Sequence, residues 1–430
     1  MYHRTKRLAT VVAAGLALGL VLAGCSASST GSDPNAKVTL TFANADPSTT
    51  WAAVIKGFEA KNPNITVKQL NIPYAQFTST ITQRFSQGAK NLDLFVVDTG
   101  QLQDTWKRGY LADLSDLQSK AEAAAVSPDM VKANVVDGKL GAIETWTTSQ
   151  FLYYNKDLLA KAGIDAPSAD PASPWTYEQM TAAAQKVKDA SAAQYPFVWD
   201  QYDSYYQLQP LGVSAGGGYG IVNGKADFSN AGWQKALKWY GGLFTDGLSP
   251  RGITNDKTEA LFQSGKAAFM IAGPWALAGN AKAKVNFGVA ANPYFEGGKP
   301  ATSTDSWSVG ISSKTPNLAA SKKFLEYMTL DPVGNYESSQ VVNIPPTQKD
   351  AFAKYVKLSE GTSGDNGTNF GAIFDYQLKA NSVHRPDVIG YTVFEPEANK
   401  MFSDIRNGTD PAARAKQADD TIDAQLARLK

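Results

Sequence analysis

Aromatic side chains in loop-like segments are the feature of this 430-residue sequence that points most directly to chemistry. Several of them lie close to glycine, serine or aspartate: Trp199, Tyr205, Tyr206, Trp275 and Trp307, with Asp200 and Asp203 in the same loop as the first three. Indole and phenol rings stack on the CH face of a pyranose, while carboxylate, amide and indole N–H groups bond its hydroxyls. These segments therefore predict a sugar-binding surface. The alternative for each ring is packing in a core, where most large aromatic side chains lie.

The sequence lacks the residues that several other kinds of functional site require. Beyond the N-terminal segment the only histidine is His384, which leaves no Ser-His-Asp triad and no multi-histidine zinc site. No phosphate-binding Gly-x-x-x-x-Gly-Lys-Ser/Thr loop is present, and we interpret the glycines at 216–218 as a plain loop. With 41 basic and 40 acidic residues, the chain has no basic surplus for nucleic acid. We expect no cofactor, metal or nucleic-acid partner, whereas paired carboxylates for glycoside hydrolysis stay open.

The N-terminus has the pattern of an export signal. Basic residues precede an apolar run over residues 8–23, which is shorter than the roughly 20 apolar residues that span a bilayer. The only cysteine follows in Leu-Ala-Gly-Cys25, which resembles a bacterial lipobox, and residues 26–37 form a polar linker. We expect a signal peptide over residues 1–25 and a mature protein that Cys25 anchors by its lipid to the outer face of the cell membrane. The alternative is a plain secreted protein.

The first part of the mature chain alternates strands with helices, which indicates an α/β sheet with crossover connections. The predicted elements are strands over residues 38–43, 65–70 and 92–97 and helices over 51–60 and 77–85. Ligands of such sheets bind beyond the carboxyl ends of the strands. Asp46 and Asp98 each follow a strand closely and are candidate ligand contacts; the alternative for Asp98 is a helix N-cap.

A second α/β region follows, and roughly 390 mature residues are enough for two domains. Its predicted strands cover residues 151–154, 268–271 and 285–290, and its helices cover 177–190, 231–244, 318–330 and 411–430. Thr176 is the expected N-cap of the first of these helices.

Four segments in order carry a resemblance to a known family. Residues 92–114 end in Gly-Tyr-Leu-Ala-Asp-Leu, and residues 153–176 contain Tyr-Tyr-Asn-Lys-Asp, Ala-Gly-Ile and Pro-Trp-Thr. Residues 262–275 contain Gly-Lys-Ala-Ala and Gly-Pro-Trp, and residues 323–345 contain Lys-Phe-Leu and Ile-Pro. This pattern resembles the extracellular solute-binding proteins of ABC importers, specifically the carbohydrate-binding, maltose-binding-protein-like branch.

The resemblance implies an α/β, two-lobed periplasmic-binding-protein-like fold with the ligand in the cleft between lobes joined by chain crossings. One lobe would contain residues 38–145 and 291–343, and the other residues 146–290 and 344–430. Its implied function is non-catalytic capture of a di- or oligosaccharide by hinge closure, followed by delivery to the membrane permease. We expect a monomer.

The resemblance, together with the residue patterns, gives a set of candidate ligand contacts: Asp46, Asp98, Trp146, Thr148, Asp203, Tyr205, Tyr206, Trp275, Asp305, Trp307, Arg385 and Tyr391. Trp275 is the favoured stacking residue, and the register leaves Tyr205 and Tyr206 as alternatives for a second. Thr148 stands where family members often have a carboxylate, which leaves the identity of the sugar open. Arg385 has a structural salt bridge as its alternative role.

Three other functions stay open. The chain could bind a polyol phosphate, which needs convergent arginine or lysine side chains, and the candidate residues include only Arg385. It could be a surface glycoside hydrolase with two carboxylates. It could also be an adhesin or scaffold whose cleft has lost its ligand.

Overall fold

The computed structural model describes residues 37–304, 306–366 and 369–429. Up to the first crossing the chain forms β1 (Val38–Asn44), α1 (Ser48–Lys61), β2 (Ile65–Asn71), α2 (Tyr74–Ser86), β3 (Leu94–Asp98), α3 (Leu102–Lys107), α4 (Gln118–Ala124), α5 (Pro128–Lys132), β4 (Val135–Val136), β5 (Lys139–Leu140) and β6 (Ile143–Glu144). It continues as β7 (Phe151–Asn155), α6 (Lys156–Lys161), α7 (Tyr177–Asp189), β8 (Tyr195–Trp199), α8 (Tyr205–Ser214), β9 (Ile221–Val222), β10 (Lys225–Ala226), α9 (Ala231–Thr245), α10 (Asn255–Gln263), β11 (Ala267–Ala272), α11 (Ala276–Lys282) and β12 (Phe287–Ala291). The last part forms β13 (Thr302–Ser303), β14 (Trp307–Ile311), α12 (Leu318–Thr329), α13 (Pro332–Val342), α14 (Lys349–Ser363), α15 (Phe370–Ala380), β15 (Ser382–Val383), α16 (Tyr391–Arg406) and α17 (Pro411–Leu426).

The first sheet has the strand order β2-β1-β3-β14-β6. β1 pairs in parallel with β2 and β3, and β14 returns antiparallel to β3, so that Trp307 lies opposite Asp98. Helices cover the sheet and build one core; Phe42, for example, packs edge to face on Trp51 at 5.1 Å between ring centroids. We call this sheet and the helices packed on it the first lobe.

The second sheet has the order β12-β7-β11-β8 and its own core. Every residue of β7, β11 and β12 is buried, because helices cover both faces of the sheet. The carboxyl ends of β8 and β11 lie side by side, since these two strands are parallel. The C-terminal helix α17 packs on α9 and α16 in this same core. We call this part the second lobe.

The chain passes between the lobes at residues 145–150, directly after β13, and at residues 343–348. Two of these crossings bond to each other, since Thr147 donates its N–H to the carbonyl of Pro345 at 2.9 Å. The hydroxyls of Thr147 and Thr304 are 3.3 Å apart, which joins the second crossing to the first. One boundary differs from the expected residue 291: Phe295 packs on Tyr177 at 4.8 Å in the second core, so that segment stays with the second lobe until about β13.

Most of the predicted elements are confirmed within a few residues at their ends. Thr176 caps α7 in a capping box with Gln179, and the glycines at 216–218 lie in a loop, as predicted. The signal peptide, the linker before residue 37 and Cys25 lie outside the described residues. Within the part of the chain that the structure describes, no helix combines the length and apolar character needed to cross a membrane.

Candidate functional site

A cavity of about 560 Å³ lies between the two lobes. Both lobes and the crossings contribute to its lining: Tyr74, Asp98, Thr148, Gln201, Asp203, Ser204, Tyr206, Asn255, Trp275, Ser306, Trp307, Ile344, Arg385, Glu395 and Asn399. This volume is typical of a small-molecule site, and the lining combines aromatic faces with hydroxyl, amide and carboxylate groups.

Asp98 occupies the carboxyl end of β3 and borders the cavity, as the strand-end rule predicts. Its Oδ1 atom accepts the Gly100 N–H at 3.0 Å, so the alternative N-cap role is also present. The same oxygen lies 2.6 Å from the Arg385 guanidinium. Less than a tenth of either side chain is exposed. Asp98 is therefore tied to protein groups on two sides.

Arg385 joins the two lobes at the cavity wall. Besides the ion pair with Asp98, it donates a hydrogen bond to the carbonyl of Ser306 at 3.1 Å. Its guanidinium also lies over the ring of Tyr206, 5.5 Å from the centroid. The structural salt bridge that was the alternative for Arg385 is thus present, and the positive charge is already compensated.

Of the two adjacent tyrosines, Tyr206 is the one that borders the cavity. It starts α8 and lines the cavity, and its hydroxyl bonds the Thr148 hydroxyl and accepts the Gln150 side-chain N–H at 3.2 Å. Tyr205 is fully buried instead, with its hydroxyl donating to the Tyr219 carbonyl at 2.6 Å. Successive residues of a helix point in different directions, so only one of the pair can face the cavity.

Trp275 lines the cavity from the second lobe and is partly buried. Its indole N–H donates to Asp200 at 3.0 Å, so this donor is used within the protein. Burial, and secondarily the nearby carboxylate of Glu259, raise the pKa of Asp200 to about 7. The N–H of Trp275 is therefore used within the protein, and the apolar part of its ring is what remains for contact with a ligand in the cavity.

Trp307 lines the cavity from the first lobe, opposite Asp98 in the sheet register. Tyr74, at the start of α2, packs edge to face on it at 5.6 Å. Asp305, two residues before Trp307 in the sequence, lies outside the described residues.

Asp203 also borders the cavity, and one carboxylate oxygen lies 2.8 Å from the Arg406 guanidinium. Burial raises the pKa of Asp203, and Arg406 partly offsets that rise.

Three predicted contacts lie away from the cavity. Asp46 accepts the Trp51 indole N–H at 3.0 Å and so anchors a core side chain. Trp146 is 1% exposed, stacks on Trp51 at 5.1 Å and donates to Ser338. It packs in the first core because the crossing passes directly over that core. We therefore leave Asp46 and Trp146 out of the proposed site.

Tyr391 is the third. It is fully buried at the start of α16, where its ring lies against the backbone of Gly100. Its hydroxyl donates to Glu395 at 3.0 Å, so it supports a cavity residue without reaching the cavity itself. We correct its role accordingly.

Sequence reasoning missed several lining residues: Tyr74, Gln201, Ser204, Asn255, Ser306, Ile344, Glu395 and Asn399. Glu395 and Asn399 are four residues apart on α16 and therefore share one helix face. That spacing was visible in the sequence, but nothing there indicated which face of the helix borders a cleft. Among the described residues, no group of three or more His, Cys, Asp or Glu side chains is arranged to hold a metal ion.

Comparison with known proteins identifies the class. The sequence matches the family of bacterial extracellular solute-binding proteins over residues 44–334, which is well over half of the chain. The protein belongs to this family, as the four segments in the sequence predict. The two-lobed periplasmic-binding-protein fold agrees with that membership.

Individual relatives are distant but match along most of their length. The chain is 27% identical to a probable ABC transporter-binding protein of Deinococcus radiodurans, over 96% of this chain and 97% of that protein. It is also 27% identical to maltodextrin-binding protein MdxE of Bacillus subtilis, over 76% of this chain and 77% of that protein. A solved ABC substrate-binding protein from Listeria monocytogenes, in complex with cycloalternan, has a TM-score of 0.76 at 21% identity. That match covers 91% of this chain and 99% of the Listeria chain and concerns the fold.

Proposed function

We propose that this protein captures a di- or oligosaccharide between its lobes and delivers it, unaltered, to the membrane permease of an ABC importer. Ligand contacts from both lobes would favour a closed state, and the permease would recognise that state. This is a binding function without a reaction, in agreement with a family of binding proteins.

One observation carries the proposal: aromatic rings from both lobes meet at a single cavity. Trp307 and Tyr74 come from the first lobe, and Trp275 and Tyr206 come from the second. Because their faces stack on the apolar faces of sugar rings, more than one ring can be held along the cleft. The amide, hydroxyl and carboxylate groups between them match the hydroxyls of a saccharide.

The relatives support the same ligand class. One similar protein is described as binding maltodextrin, another as binding galactooligosaccharide, and a similar structure contains cycloalternan. All three names denote oligosaccharides. Thr148 stands where a carboxylate is common in the family. The sugar hydroxyls that this protein bonds would therefore differ from those that its relatives bond, and a screen is needed to identify the sugar.

The test is a thermal-shift screen of mono- to tetrasaccharides, followed by isothermal titration calorimetry of the ligands found. A ligand at about 100 times its dissociation constant should stabilise the protein by about 2.7 kcal/mol. Trp275→Ala should weaken binding about 30-fold or more, since truncating a central aromatic anchor costs about 2 kcal/mol or more. Trp106→Ala is the matched control, because Trp106 is also partly buried but does not line the cavity.

A panel without any binder, or equal affinities for Trp275→Ala and wild type, would contradict the proposal. The second result would be expected of a scaffold with a non-functional cleft. A glycoside hydrolase would instead release reducing ends steadily from a bound oligosaccharide, which chromatography of the incubated ligand would reveal.

A polyol phosphate is the less favoured ligand. Arg385 is the only arginine or lysine among the described residues that line the cavity, and Asp98 already compensates its charge. A phosphate group would therefore meet little free positive charge. Glycerol phosphodiesters belong in the binding panel, and tighter binding of these than of any saccharide would favour this alternative.

We also propose that Cys25 carries the lipid anchor and that the protein acts as a monomer on the outer face of the cell membrane. Two acyl chains give stable anchoring, whereas a single chain does not. Cys25→Ser should move the full-length protein from the membrane fraction to the medium without changing its sugar affinity. Retention of the serine variant in the membrane fraction would contradict anchoring through Cys25. Light scattering of the soluble form measures its mass, and the mass of a dimer would contradict the monomeric state.

A further inference from the structure

A buried carboxylate lies next to Trp275, one of the aromatic residues by which the second lobe lines the cavity. Asp200 follows β8 directly, and its N–H donates to the carbonyl of Ile271 in β11 at 2.9 Å. Only 6% of the residue is exposed. Because β8 and β11 are parallel, this position is next to the Gly273-Pro274 turn that follows β11. The Asp200 carboxylate therefore lies within hydrogen-bond distance of the Trp275 indole N–H.

The Trp275 ring is held by contacts on several sides. Its indole N–H donates to Oδ2 of Asp200 at 3.0 Å. The ring lies so close to the backbone of Gly273 that a Cβ atom there would overlap it. The Asn343 side chain donates to the Trp275 carbonyl at 3.1 Å, which fixes the backbone of the same residue from the third crossing.

Packing alone does not account for a carboxylate in this place. Among the ion pairs formed by the described residues, none includes Asp200. Its other oxygen is 3.4 Å from the hydroxyl of Thr258, and Glu259 of α10 adds a like charge. A buried acid without a counter-ion destabilises the folded state, so an apolar side chain, which offers the indole no acceptor, would serve the core better.

We propose that Asp200 is a positioning residue of the ligand site, which fixes the indole plane of Trp275 so that the ring offers its face to the saccharide. The carboxylate binds the only donor of the indole, so that the ring cannot turn to present its N–H to a ligand hydroxyl. The 3.0 Å hydrogen bond to a nearly immobile buried side chain restrains the rotation of a ring that borders the cavity.

This inference rests on the proposed function, because it assumes that Trp275 stacks on the ligand. It also specifies that function further. The sugar unit beside Trp275 would be recognised by its CH face, and its hydroxyls would bond other groups of the cavity, such as Gln201 and Asn255. A unit with a continuous apolar face would be preferred at this position over one with an axial hydroxyl on that face.

The first experiment is a double-mutant cycle, read by calorimetry with the tightest saccharide of the panel. Asp200→Ala should weaken binding about tenfold in the wild-type background. In the Trp275→Phe background, which keeps a ring face but has no N–H, the same change should weaken binding less than about twofold. Asp200→Asn should restore most of the affinity, since its amide oxygen still accepts the indole N–H. Equal losses in both backgrounds would overturn the proposal.

The second experiment needs no ligand. With ¹⁵N-labelled tryptophan, the Trp275 indole N–H resonance is identified by its absence from Trp275→Phe. Asp200→Ala should shift this resonance and speed its exchange with water, and Asp200→Asn should retain a slow exchange. Glu259→Gln is the matched control, because it neutralises the neighbouring acid, whose carboxylate accepts a hydrogen bond from Gln263 while the indole N–H donates to Asp200. Thermal unfolding checks that each variant is folded. If Asp200→Ala does not fold, Asp200→Leu is used in its place, because it also has no acceptor for the indole N–H.

The two experiments separate the inference from the function on which it rests. An unchanged indole resonance in Asp200→Ala would overturn the positioning role even with a sugar bound normally. A changed resonance in a protein that binds no saccharide would refute the proposed function and leave the positioning of the ring intact.

Discussion

The buried ion pair between Asp98 and Arg385 allows the sharpest prediction about stability. The side chains are 8% and 6% exposed, and the closest charged atoms are 2.6 Å apart. Arg385→Met would remove the positive charge and leave the carboxylate buried beside an apolar group. Removing one partner of such a pair costs about 3–5 kcal/mol, because the other charge stays desolvated without compensation. The hydrogen bond to the Ser306 carbonyl is also lost, so the upper part of that range is expected.

The assay is urea unfolding of the ligand-free protein at pH 7, followed by fluorescence. The double variant Arg385→Met/Asp98→Asn should recover much of the loss, because a neutral asparagine needs no counter-charge. Its side-chain oxygen can still accept the Gly100 N–H, which keeps the cap of the following turn. Lys322→Met serves as a control that breaks a more exposed pair with Asp116, and little change is expected there.

Two results would refute this reasoning. If Arg385→Met were no less stable than Lys322→Met, the pair would not be desolvated as the structure indicates. If the double variant were less stable than Arg385→Met, the uncompensated charge of Asp98 would not be the source of the loss.

Three further predictions concern other residues. Burial raises the pKa of Asp200 from 3.8 to about 7, so the native state binds this proton more tightly than the unfolded chain does. The ionisation of Asp200 therefore lowers the free energy of unfolding as the pH rises from about 4 to about 7. Asp200→Asn should therefore raise the free energy of unfolding by up to about 4 kcal/mol at pH 8 and by far less at pH 3.5, and equal effects in urea titrations at both pH values would contradict this. Trp146→Phe should lower the melting temperature, because the stacking on Trp51 is weakened and the hydrogen bond to Ser338 is lost. Calorimetry should find wild-type affinity for the sugar. A weaker affinity would show that Trp146 belongs to the ligand site. Gly273→Ala should displace the Trp275 ring and weaken sugar binding at least tenfold with a small change in melting temperature, and unaltered affinity would show that the ring tolerates the shift.

The fold could be predicted from the sequence because its elements carry strong local patterns. The buried strand ending at Asp98 and the capping box at Thr176 are examples, and both lie where the patterns predict. Trp275, favoured as a stacking residue, follows the Gly-Pro turn after β11, and its ring lines the cavity. In each of these cases the signal is local and no distant contact is needed to interpret it.

The remaining parts of the site depend on contacts between distant segments. Trp146 and Tyr391 have the residue type and location expected of ligand contacts, yet each is buried by neighbours from far along the chain, such as Ser338 and Gly100. Glu395 borders the cavity because α16 starts against the first lobe, where Asp104 accepts the Gly390 N–H at 2.7 Å. No local pattern specifies that contact, so the orientation of the helix was not predictable.

The most direct test of the central claim is small-angle X-ray scattering of the mature protein, with and without the tightest saccharide found by calorimetry. Closure of two lobes around a sugar predicts a smaller radius of gyration at about ten times the wild-type dissociation constant, with intact ligand recovered afterwards. Trp275→Ala should change much less at the same concentration, because a site about 30-fold weaker is then mostly empty. Identical scattering curves for the free and saturated wild-type protein would contradict the account.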